Sequence, residues 1–441
     1  MIDIAAGRLS AATLARNFSD AHPPLTAPQS VVEADRCHHC YDAPCIEACP
    51  TGIDIPGFIG RIATGDLGGA AEAILDQNIL GGACARVCPT DILCEGVCVR
   101  VKQGERAVSI GALQRTAVDW QMAQGQPYRR APARGTRIAV VGAGPAGLAC
   151  AHRLSLRGHD VDLYDARPKP GGLNEYGIAA YKVPDDFAQN EVAFVLEIGG
   201  ITWYGDRVLG QNLSLETLRE TYDAVFLGIG QSGVRALGLA GEDADGVFDA
   251  VDFIETLRQS PPAAVPIGAR VVVIGGGNTA IDAAVQARRL GADDVTLVYR
   301  RGPENMNATP EEQEWALQNL VTIRHWATPA AIETEAGHVT GVRFARGAPD
   351  ETGKPVYDRG ELTIPADMVL KAVGQLYEDP IDGTLALSGG RILVDARGET
   401  SLPGVFAGGD CTAGEDLTVA AVRDGRDAAE AIDTMLTERG R

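Results

Sequence analysis

Eight of the ten cysteines lie between residues 37 and 98, in two closely spaced groups of four. In chain order the groups are Cys37-x2-Cys40-x4-Cys45-x3-Cys49-Pro50 and Cys84-x3-Cys88-Pro89-x4-Cys94-x3-Cys98. Thiolates hold iron–sulfur clusters, and bacterial ferredoxins bind them through runs of this kind that end in Cys-Pro. Proline has no N–H and a fixed φ, so the chain can turn sharply away from a cluster. The block therefore predicts iron–sulfur clusters that carry single electrons.

Three other interpretations of the cysteines compete. Disulfides are disfavoured because no secretory signal precedes the block and a cytosolic chain keeps its thiols reduced. Two structural zinc sites would also use eight thiolates, but zinc knuckles repeat close cysteine pairs, which Cys37/Cys40 and the x3 pairs match only loosely. Chance clustering is negligible for eight cysteines in 62 positions.

A glycine-rich turn follows an apolar run at residues 138–141. The turn reads Gly142-x-Gly144-x-x-Gly147, a helical stretch covers 148–156, and a second apolar run at 161–164 ends at Asp165. Strand, glycine turn, helix and an acid about 20 residues on form the dinucleotide fingerprint. The glycines let the backbone approach a pyrophosphate at the helix N-terminus, and Asp165 would accept hydrogen bonds from ribose hydroxyls. A purely structural glycine turn is the weaker alternative.

The same pattern returns at residues 270–299. A strand at 270–274 precedes a turn of the form GxGxxA, which reads Gly275-Gly276-Gly277-Asn278-Thr279-Ala280. Tyr299 occupies the position of the ribose-binding acid, and Arg300 and Arg301 follow it. Without the acid a 2′-phosphate is not repelled, and guanidinium groups pair with phosphate, which favours NADPH over NADH. The alternative is that both arginines only cap a surface loop.

Two nucleotide sites in one chain usually bind FAD first and NAD(P)H second. Residues 404–410 read as a strand that runs into Gly409-Asp410, with a helix at 418–432. In flavoproteins with two dinucleotide sites, that aspartate hydrogen-bonds the ribityl chain. Disulfide reduction would need a cysteine pair beside the flavin, but Cys150 and Cys411 are isolated in separate segments.

The bulk composition limits the partners. The formal net charge of −20 argues against nucleic acid and anionic membrane surfaces, because like charges repel. No apolar run reaches the roughly 18 residues of a membrane span. The start of the sequence lacks a signal-peptide apolar region, so a cytoplasmic location is expected.

These motifs require an α/β protein with a helical N-terminal part. Helical spacing over 56–78 would return the second cysteine group beside the first, a helix is predicted over 110–122, and 128–135 reads as a linker. The expected domains are a helical iron–sulfur domain (1–133), a Rossmann-like FAD domain (134–262 and 373–441) and an inserted Rossmann-like NAD(P)H domain (263–372).

Together the motifs resemble the flavin/iron–sulfur subunit shared by glutamate synthase (small subunit), bacterial dihydropyrimidine dehydrogenase (PreT-type) and NADH-dependent ferredoxin-NADP oxidoreductases. The resemblance covers residues 31–436. Its carriers are Glu33-Ala-Asp-Arg-Cys37, Asp42-Ala-Pro-Cys45, Cys84-Ala-Arg-Val-Cys88-Pro89, Gly171-Gly172-Leu173, Tyr299-Arg300-Arg301 and Gly408-Gly409-Asp410. Within this group the chain looks closest to dihydropyrimidine dehydrogenase.

The resemblance implies two [4Fe–4S] clusters. One would be held by Cys37, Cys40, Cys45 and Cys98, and the other by Cys49, Cys88, Cys94 and Gln114. Composition alone would choose Cys84 as the eighth ligand, and only the resemblance replaces it with Gln114.

The resemblance also implies nucleotide-binding residues. Those for FAD are Gly142, Gly144, Pro145, Ala146, Gly147, Asp165, Gly172, Leu173, Gly409, Asp410 and Thr418. Those for the nicotinamide cofactor are Gly275, Gly276, Gly277, Asn278, Thr279, Arg300, Arg301, Ala372, Val373 and Gly374. The animal enzyme has a further basic residue a few positions after the arginine pair, a place that lies near Asn307 in this chain. Bacterial members are commonly NADH-dependent, so both NADH and NADPH stay open as the cofactor.

The implied function is electron input. NAD(P)H gives up two electrons as a hydride, clusters accept single electrons, and FAD can do both, so it must stand between them. A partner subunit (PreA-type), with FMN and further clusters, would reduce uracil or thymine within a hetero-oligomer such as a heterotetramer. The alternatives are a glutamate synthase small subunit, an NADH-dependent ferredoxin-NADP oxidoreductase subunit, and a non-catalytic zinc-binding scaffold.

Overall fold

The computed structural model describes residues 3–439. Its helices are α1 (Ala11–Asn17), α2 (Ala27–Ala34), α3 (Pro44–Glu47), α4 (Ile55–Ala63), α5 (Leu67–Leu75), α6 (Gly81–Val87), α7 (Val99–Lys102), α8 (Ile110–Gln124), α9 (Pro145–Leu156), α10 (Leu173–Tyr176), α11 (Phe187–Leu196), α12 (Leu215–Thr221), α13 (Ala250–Gln259), α14 (Asn278–Leu290), α15 (Pro310–Gln318) and α16 (Thr418–Arg439).

The strands are β1 (Ile4–Ala5), β2 (Arg137–Val141), β3 (Asp160–Tyr164), β4 (Ile201–Tyr204), β5 (Ala224–Leu227), β6 (Gly233–Val234), β7 (Val247–Asp249), β8 (Ile267–Gly268), β9 (Arg270–Gly275), β10 (Asp294–Val298), β11 (Thr322–Arg324), β12 (Ala327–Glu335), β13 (His338–Arg346), β14 (Ala348–Pro349), β15 (Pro355–Val356), β16 (Glu361–Pro365), β17 (Met368–Ala372), β18 (Gln375–Leu376), β19 (Leu387–Ser388), β20 (Arg391–Ile392) and β21 (Val405–Ala407).

The described chain forms two compact units. The thiol–flavin unit comprises residues 22–175, 185–232 and 377–439, and the insert unit comprises residues 3–21, 176–184 and 233–376. The limits of these units differ from those of the expected domains. The expected insert begins at residue 263, and the expected iron–sulfur domain includes the first residues of the chain. In the structure β1 pairs with β8, so residues 4–5 form a strand of the insert unit.

In the thiol–flavin unit, short helices surround the cysteines. The helical spacing over 56–78 is divided into α4 and α5, because Asp54 and Asp66 each accept a backbone N–H and cap the helix that follows. Between them Gly65 has φ +83°, a left-handed conformation that ends α4. Ile59, Ile62 and Ile74 are fully buried against α8 in the core. This packing places the second cysteine group beside the first.

The flavin part of the same unit is a parallel sheet. Its strand order is β21-β5-β2-β3-β4. The apolar residues of β2 and β5 are buried on both faces, as expected for a parallel sheet covered by helices. Helix α9 lies against α16, and Gly425 permits the close approach, because a Cβ there would lie 1.9 Å from the carbonyl oxygen of Ala146.

The insert unit repeats this architecture. Its parallel sheet has the order β11-β10-β9-β17-β7, and a second, antiparallel sheet has the order β12-β13-β16. Residues 176–184 are anchored to this unit by a buried cation, since Lys182 Nζ lies 2.8 Å from Asp282 Oδ1 and 2.5 Å from Glu312 Oε1. Across residues 3–439, every helix is too short or too polar to span a bilayer.

Candidate functional site

Four cysteines from both sequence groups line one cavity in the helical region. They are Cys37, Cys40, Cys45 and Cys98. Arg100 donates a hydrogen bond to the backbone carbonyl of Arg36, which fixes the segment after Cys98 against the start of the first group. Burial and the neighbouring thiols raise the pKa of Cys45 to about 11. The structure therefore brings together the first set of ligands that the resemblance implies.

The other cysteines form a second cluster of thiols. The pKa of Cys88 is raised well above its usual value by a hydrogen bond to Cys84, by burial and by the charges of Cys94 and Cys49. Helix α6 carries Cys84 and ends at Cys88. Gln114, on α8, is also buried and donates from Nε2 to the carbonyl oxygen of Gly81 at 2.7 Å. Of the two candidates for the eighth ligand, Cys84 therefore lies on α6 and Gln114 contacts its first residue.

These thiols suit a multinuclear cation. Burial and mutual repulsion disfavour the thiolate form, so the thiolates need a positive partner. Within residues 3–439, no three His, Cys, Asp or Glu side chains are placed to chelate one metal ion. Two protein groups also reach cysteine sulfurs. The backbone N–H of His39 donates to Cys37 Sγ at 3.5 Å, and Thr51 Oγ1 lies 3.3 Å from Cys49 Sγ.

The first nucleotide turn leaves the carboxyl end of β2, at the sheet edge where ligands bind in parallel α/β folds. Gly142 has φ +100°, and a Cβ on it would lie 2.2 Å from the carbonyl oxygen of Gly228. A Cβ on Gly147 would lie 1.7 Å from the carbonyl oxygen of Gly142. Pro145 is the first residue of α9, where its missing N–H costs no helical hydrogen bond. The tight turn therefore requires its glycines.

Two further segments close around this turn. The N–H of Gly171 donates to the carbonyl oxygen of Ala143 at 2.8 Å. Gly172 has φ +54°, and a Cβ there would lie 2.6 Å from the Cα of Gly144. Asp165 accepts the N–H of Ala143 at 2.6 Å, and burial raises its pKa. The acid thus braces the glycine turn from the end of β3, and its oxygens retain lone pairs for a ribose hydroxyl.

The C-terminal Gly-Asp step reaches the same place. A Cβ on Gly409 would lie 3.0 Å from the Cβ of Ala146, at the start of α9. Within residues 3–439 the Asp410 carboxylate accepts no hydrogen bond, and burial raises its pKa to about 6. A half-buried acid without a partner fits a site for ligand hydroxyls. Thr418 donates to Asn174 Oδ1 at 3.2 Å, while Leu173 is 41% exposed.

Sequence reasoning missed Asp424 and Arg426, both on α16. Asp424 accepts the N–H of Gly409 at 3.1 Å and so holds the Gly-Asp step. Arg426 donates to the carbonyl oxygens of Thr51 and Gln77 at 2.8 and 3.0 Å. The helix bordering the flavin site is thereby fastened to the loop after Cys49. No motif carries this signal, because the partners lie about 350 residues apart in the chain.

The cysteines outside the block do not form a redox pair. Cys150 is fully buried within α9, as the sequence suggested, and Cys411 is fully buried beside the Gly-Asp step. Cys411 Sγ donates to the carbonyl oxygens of Leu227 and Gly408 at 3.4 Å. All ten cysteines are free thiols in the structure.

The second nucleotide turn lies in the insert unit, at the carboxyl end of β9. Gly277 precedes α14, which begins at Asn278 and continues through Thr279. A Cβ on Gly277 would meet nothing within 4 Å, whereas one on Gly276 would lie 2.3 Å from the ring of Tyr299. The turn is therefore open on one side, as a phosphate site at a helix N-terminus needs to be.

The residues after β10 and β17 lie at this edge too. Tyr299 donates from its hydroxyl to the carbonyl oxygen of Asn305 at 2.5 Å, and Tyr357 donates to that of Arg300 at 2.6 Å. The guanidinium groups of Arg300 and Arg301 are exposed and, within residues 3–439, pair with no acid. A Cβ on Gly275 would lie 2.3 Å from the carbonyl oxygen of Ala372. Val373 and Gly374 follow directly after β17.

This architecture defines a class of protein: a flavoprotein with two dinucleotide-binding sheets and a thiol-rich helical region joined to the first. A family model described as pyridine nucleotide-disulphide oxidoreductase matches residues 136–425. A second model, described as dihydropyrimidine dehydrogenase domain II, 4Fe-4S cluster, matches residues 14–126. The chain belongs to the pyridine nucleotide-disulphide oxidoreductase family.

Curated relatives match nearly the whole chain. The putative oxidoreductase AegA of Escherichia coli is 36% identical over 94% of this chain and 67% of its own length. The glutamate synthase [NADPH] small chain of E. coli is 35% identical, covering 95% of this chain and 94% of its own. The NAD-dependent dihydropyrimidine dehydrogenase subunit PreT of Salmonella typhimurium is 34% identical, covering 96% and 98%.

Solved structures support the fold. FprA from Mycobacterium tuberculosis in complex with NADPH has a TM-score of 0.58 and 22% identity, covering 70% of this chain and 86% of that one. Together these findings confirm the α/β fold with an N-terminal iron–sulfur region and a flavin and NAD(P)H region. The chain is an NAD(P)H-dependent FAD/iron–sulfur oxidoreductase subunit for electron transfer.

Proposed function

We propose that the chain is the electron-input subunit of a dihydropyrimidine dehydrogenase. The observation that carries this proposal is the match of residues 14–126 to the iron–sulfur domain of that enzyme. PreT relatives also align with the chain almost end to end. In this proposal the partner is a PreA-type subunit that holds FMN and further clusters and reduces uracil or thymine, in a hetero-oligomer such as a heterotetramer in the cytoplasm.

The thiols are proposed to hold two [4Fe–4S] clusters. Cys37, Cys40, Cys45 and Cys98 would hold one cluster. Cys49, Cys88, Cys94 and Gln114 would hold the other. Gln114 is a suitable eighth ligand because the carbonyl of Gly81 fixes its amide nitrogen and leaves the amide oxygen for iron. If Cys84 were the ligand instead, Cys84→Ala would lose iron while Gln114→Ala would keep it.

The proposed nucleotide sites use the residues around the two glycine turns. For FAD these are Gly142, Gly144, Pro145, Ala146, Gly147, Asp165, Gly172, Leu173, Gly409, Asp410 and Thr418. For NAD(P)H they are Gly275, Gly276, Gly277, Asn278, Thr279, Arg300, Arg301, Ala372, Val373 and Gly374. The proposed sequence domains keep the limits 1–133, 134–262 with 373–441, and 263–372, although the compact units of the structure divide the described residues at other positions.

In this proposal the residues of the chain bind the two nucleotide cofactors and orient them for hydride transfer. FAD, when bound, supplies the exchange between a two-electron hydride and single electrons. The glycine turns leave room for the pyrophosphates, and Asp410 offers an unshared carboxylate to ribityl hydroxyls. Arg300 and Arg301 offer cations to a 2′-phosphate, which favours NADPH. No side-chain acid or base is required for the hydride step.

A second candidate is the small subunit of glutamate synthase, which the 35% identity to the E. coli protein favours. The test is to purify the chain anaerobically with its untagged partner and to follow NAD(P)H oxidation. Uracil-dependent turnover supports the first proposal. Turnover with glutamine plus 2-oxoglutarate, and none with uracil, refutes it in favour of the second.

Cofactor analysis of the same material tests the cluster count. The two-cluster proposal requires about eight irons and one flavin per chain. About four irons would reduce it to one cluster. Zinc in place of iron, in colourless protein, would refute electron transfer and support a structural scaffold.

A further inference from the structure

The sequence Cys-Pro-Thr occurs twice in the thiol region, at Cys49-Pro50-Thr51 and at Cys88-Pro89-Thr90. The two threonines differ in the structure. Thr51 Oγ1 lies 3.3 Å from Cys49 Sγ, and Thr51 is 2% exposed. The hydroxyl of Thr90 makes no side-chain hydrogen bond within residues 3–439. Because the two Cys-Pro-Thr segments have the same sequence and, of the two hydroxyls, only that of Thr51 makes a hydrogen bond with a cysteine sulfur within residues 3–439, Thr90 serves as the control for Thr51.

A turn fixes the Thr51 hydroxyl at the sulfur. The N–H of Gly52 donates to the carbonyl oxygen of Cys49 at 2.9 Å, with Pro50 and Thr51 as the central residues. Gly52 has φ +69°, so the chain leaves the turn in the left-handed region. Arg426 holds the carbonyl oxygen of Thr51 at 2.8 Å. Both sides of Thr51 are therefore anchored, and its side chain stays directed at Cys49.

We propose that Thr51 raises the reduction potential of the iron–sulfur cluster bound through Cys49. A thiolate on iron has no proton to give, so the hydroxyl must be the donor of this hydrogen bond. Hydrogen bonds to cluster sulfurs are among the factors that set cluster potentials. Adding one electron makes the sulfur more negative, which strengthens the bond and favours the reduced state.

The step that Thr51 influences is a one-electron addition. The electron originates from the hydride of NAD(P)H and arrives by way of FAD, and no covalent bond forms or breaks at the cluster. The hydroxyl keeps its proton throughout. Thr51 is thus a positioning residue whose effect is on the potential. The inference rests on the proposed function only in taking Cys49 as a ligand.

The test is an anaerobic redox titration of the whole chain, monitored by the electron paramagnetic resonance of the reduced clusters. Thr51→Val keeps the shape and removes the donor, so the reduced-to-oxidised ratio of one cluster at a fixed potential should fall by about tenfold. This corresponds to ~59 mV for a one-electron couple. Thr51→Ser should restore the wild-type value. Thr90→Val is the matched control and should leave both clusters unchanged.

Iron content is measured for each variant, and Thr51→Ala replaces Thr51→Val if the valine variant loses iron. Unchanged potentials in the variant without the hydroxyl would overturn the inference. An equal shift in Thr90→Val or Thr51→Ser would overturn it as well, because the change would then come from packing. Wild-type protein that contains iron and reduces normally keeps the proposed function intact in each of these cases.

Discussion

Replacing Arg426 by alanine should loosen the loop that follows Cys49. Arg426 lies on α16, the helix that borders the flavin site, and its side chain is 16% exposed. Its Nη1 lies 2.8 Å from the carbonyl oxygen of Thr51 and 3.0 Å from both the carbonyl oxygen and Oε1 of Gln77. The substitution removes every one of these contacts and takes the donor from the carbonyl oxygens of the buried Thr51 and the partly buried Gln77.

The expected loss of free energy in Arg426→Ala follows from the number of hydrogens on Nη1. Nη1 of a guanidinium carries two hydrogens, so the three contacts count as two full hydrogen bonds. A hydrogen bond to a charged group contributes about 1.5–3 kcal/mol. At the lower end of this range, the two hydrogen bonds together contribute about 3 kcal/mol. This corresponds to about a 100-fold change in the equilibrium between the closed and the open loop.

Hydrogen exchange on the cofactor-loaded protein measures this equilibrium. The N–H of Gly52 is bonded to the carbonyl oxygen of Cys49, so a peptide containing it should lose about 100-fold in protection in Arg426→Ala. Arg61→Ala is the control, since among residues 3–439 Arg61 pairs with Asp66 alone and both side chains are half exposed. Such exposed pairs contribute about 0–1 kcal/mol. Unchanged protection in Arg426→Ala, or an equal loss in the control, would refute this account of the loop.

Three further variants probe the other sites. Gly147→Ala places a Cβ 1.7 Å from the carbonyl oxygen of Gly142, so the purified protein should lose its flavin absorbance. Arg300→Ala with Arg301→Ala should lower kcat/KM for NADPH by about 10- to 100-fold, from charge-assisted bonds of about 1.5–3 kcal/mol, and leave that for NADH unchanged. Burial raises the pKa of Glu191 from 4.5 to about 7, so between these pH values the folded chain keeps a proton that the unfolded chain has lost. Stability should therefore fall by about 3 kcal/mol as the pH rises through this window, and Glu191→Gln should flatten the fall in thermal midpoint.

Two matched variants serve as controls for the flavin and NADPH results. Gly277→Ala adds a Cβ that meets nothing within 4 Å and should retain FAD. Arg343→Ala removes a partly exposed arginine that pairs with Glu333 and Glu361 on the antiparallel sheet, and should not change kcat/KM for NADPH. Flavin retained in Gly147→Ala, equal losses for NADPH and NADH, or a pH profile that Glu191→Gln leaves unaltered would each contradict the structural reason given.

The nucleotide-binding sheets were predictable because their signals are local. The apolar runs predicted at 138–141 and 161–164 lie within β2 and β3. Buried parallel strands are apolar throughout, and the glycine turn between strand and helix allows few other residues. In contrast, the antiparallel sheet of β12, β13 and β16 was not predicted, since its strands alternate between buried and exposed residues only irregularly.

The division of the chain could not be predicted because it depends on contacts between distant segments. Residues 176–184 look like part of the flavin region in sequence, yet Lys182 pairs with Asp282 and Glu312 in the insert unit. A lone lysine gives no sign of a buried partner about 100 residues away. A buried ion pair is costly to break, because removing one partner leaves an uncompensated charge, so this anchor fixes the segment firmly.

The cysteine block shows where spacing stops being informative. The two groups have similar spacings, x2-x4-x3 and x3-x5-x3, and only the resemblance, not the spacing, distributes each ligand set over both groups. In the structure Cys98 of the second group lies with Cys37, Cys40 and Cys45, and Cys49 of the first group lies near Cys88. Each thiol site is therefore built from both ends of the block. Cys45 lies on α3 and Cys98 directly precedes α7, whereas Cys49 lies two residues after α3 and Cys88 directly follows α6. The ligands of each proposed site are therefore separated in sequence by α4, α5 and α6, and the packing of these three helices against α8 brings them together.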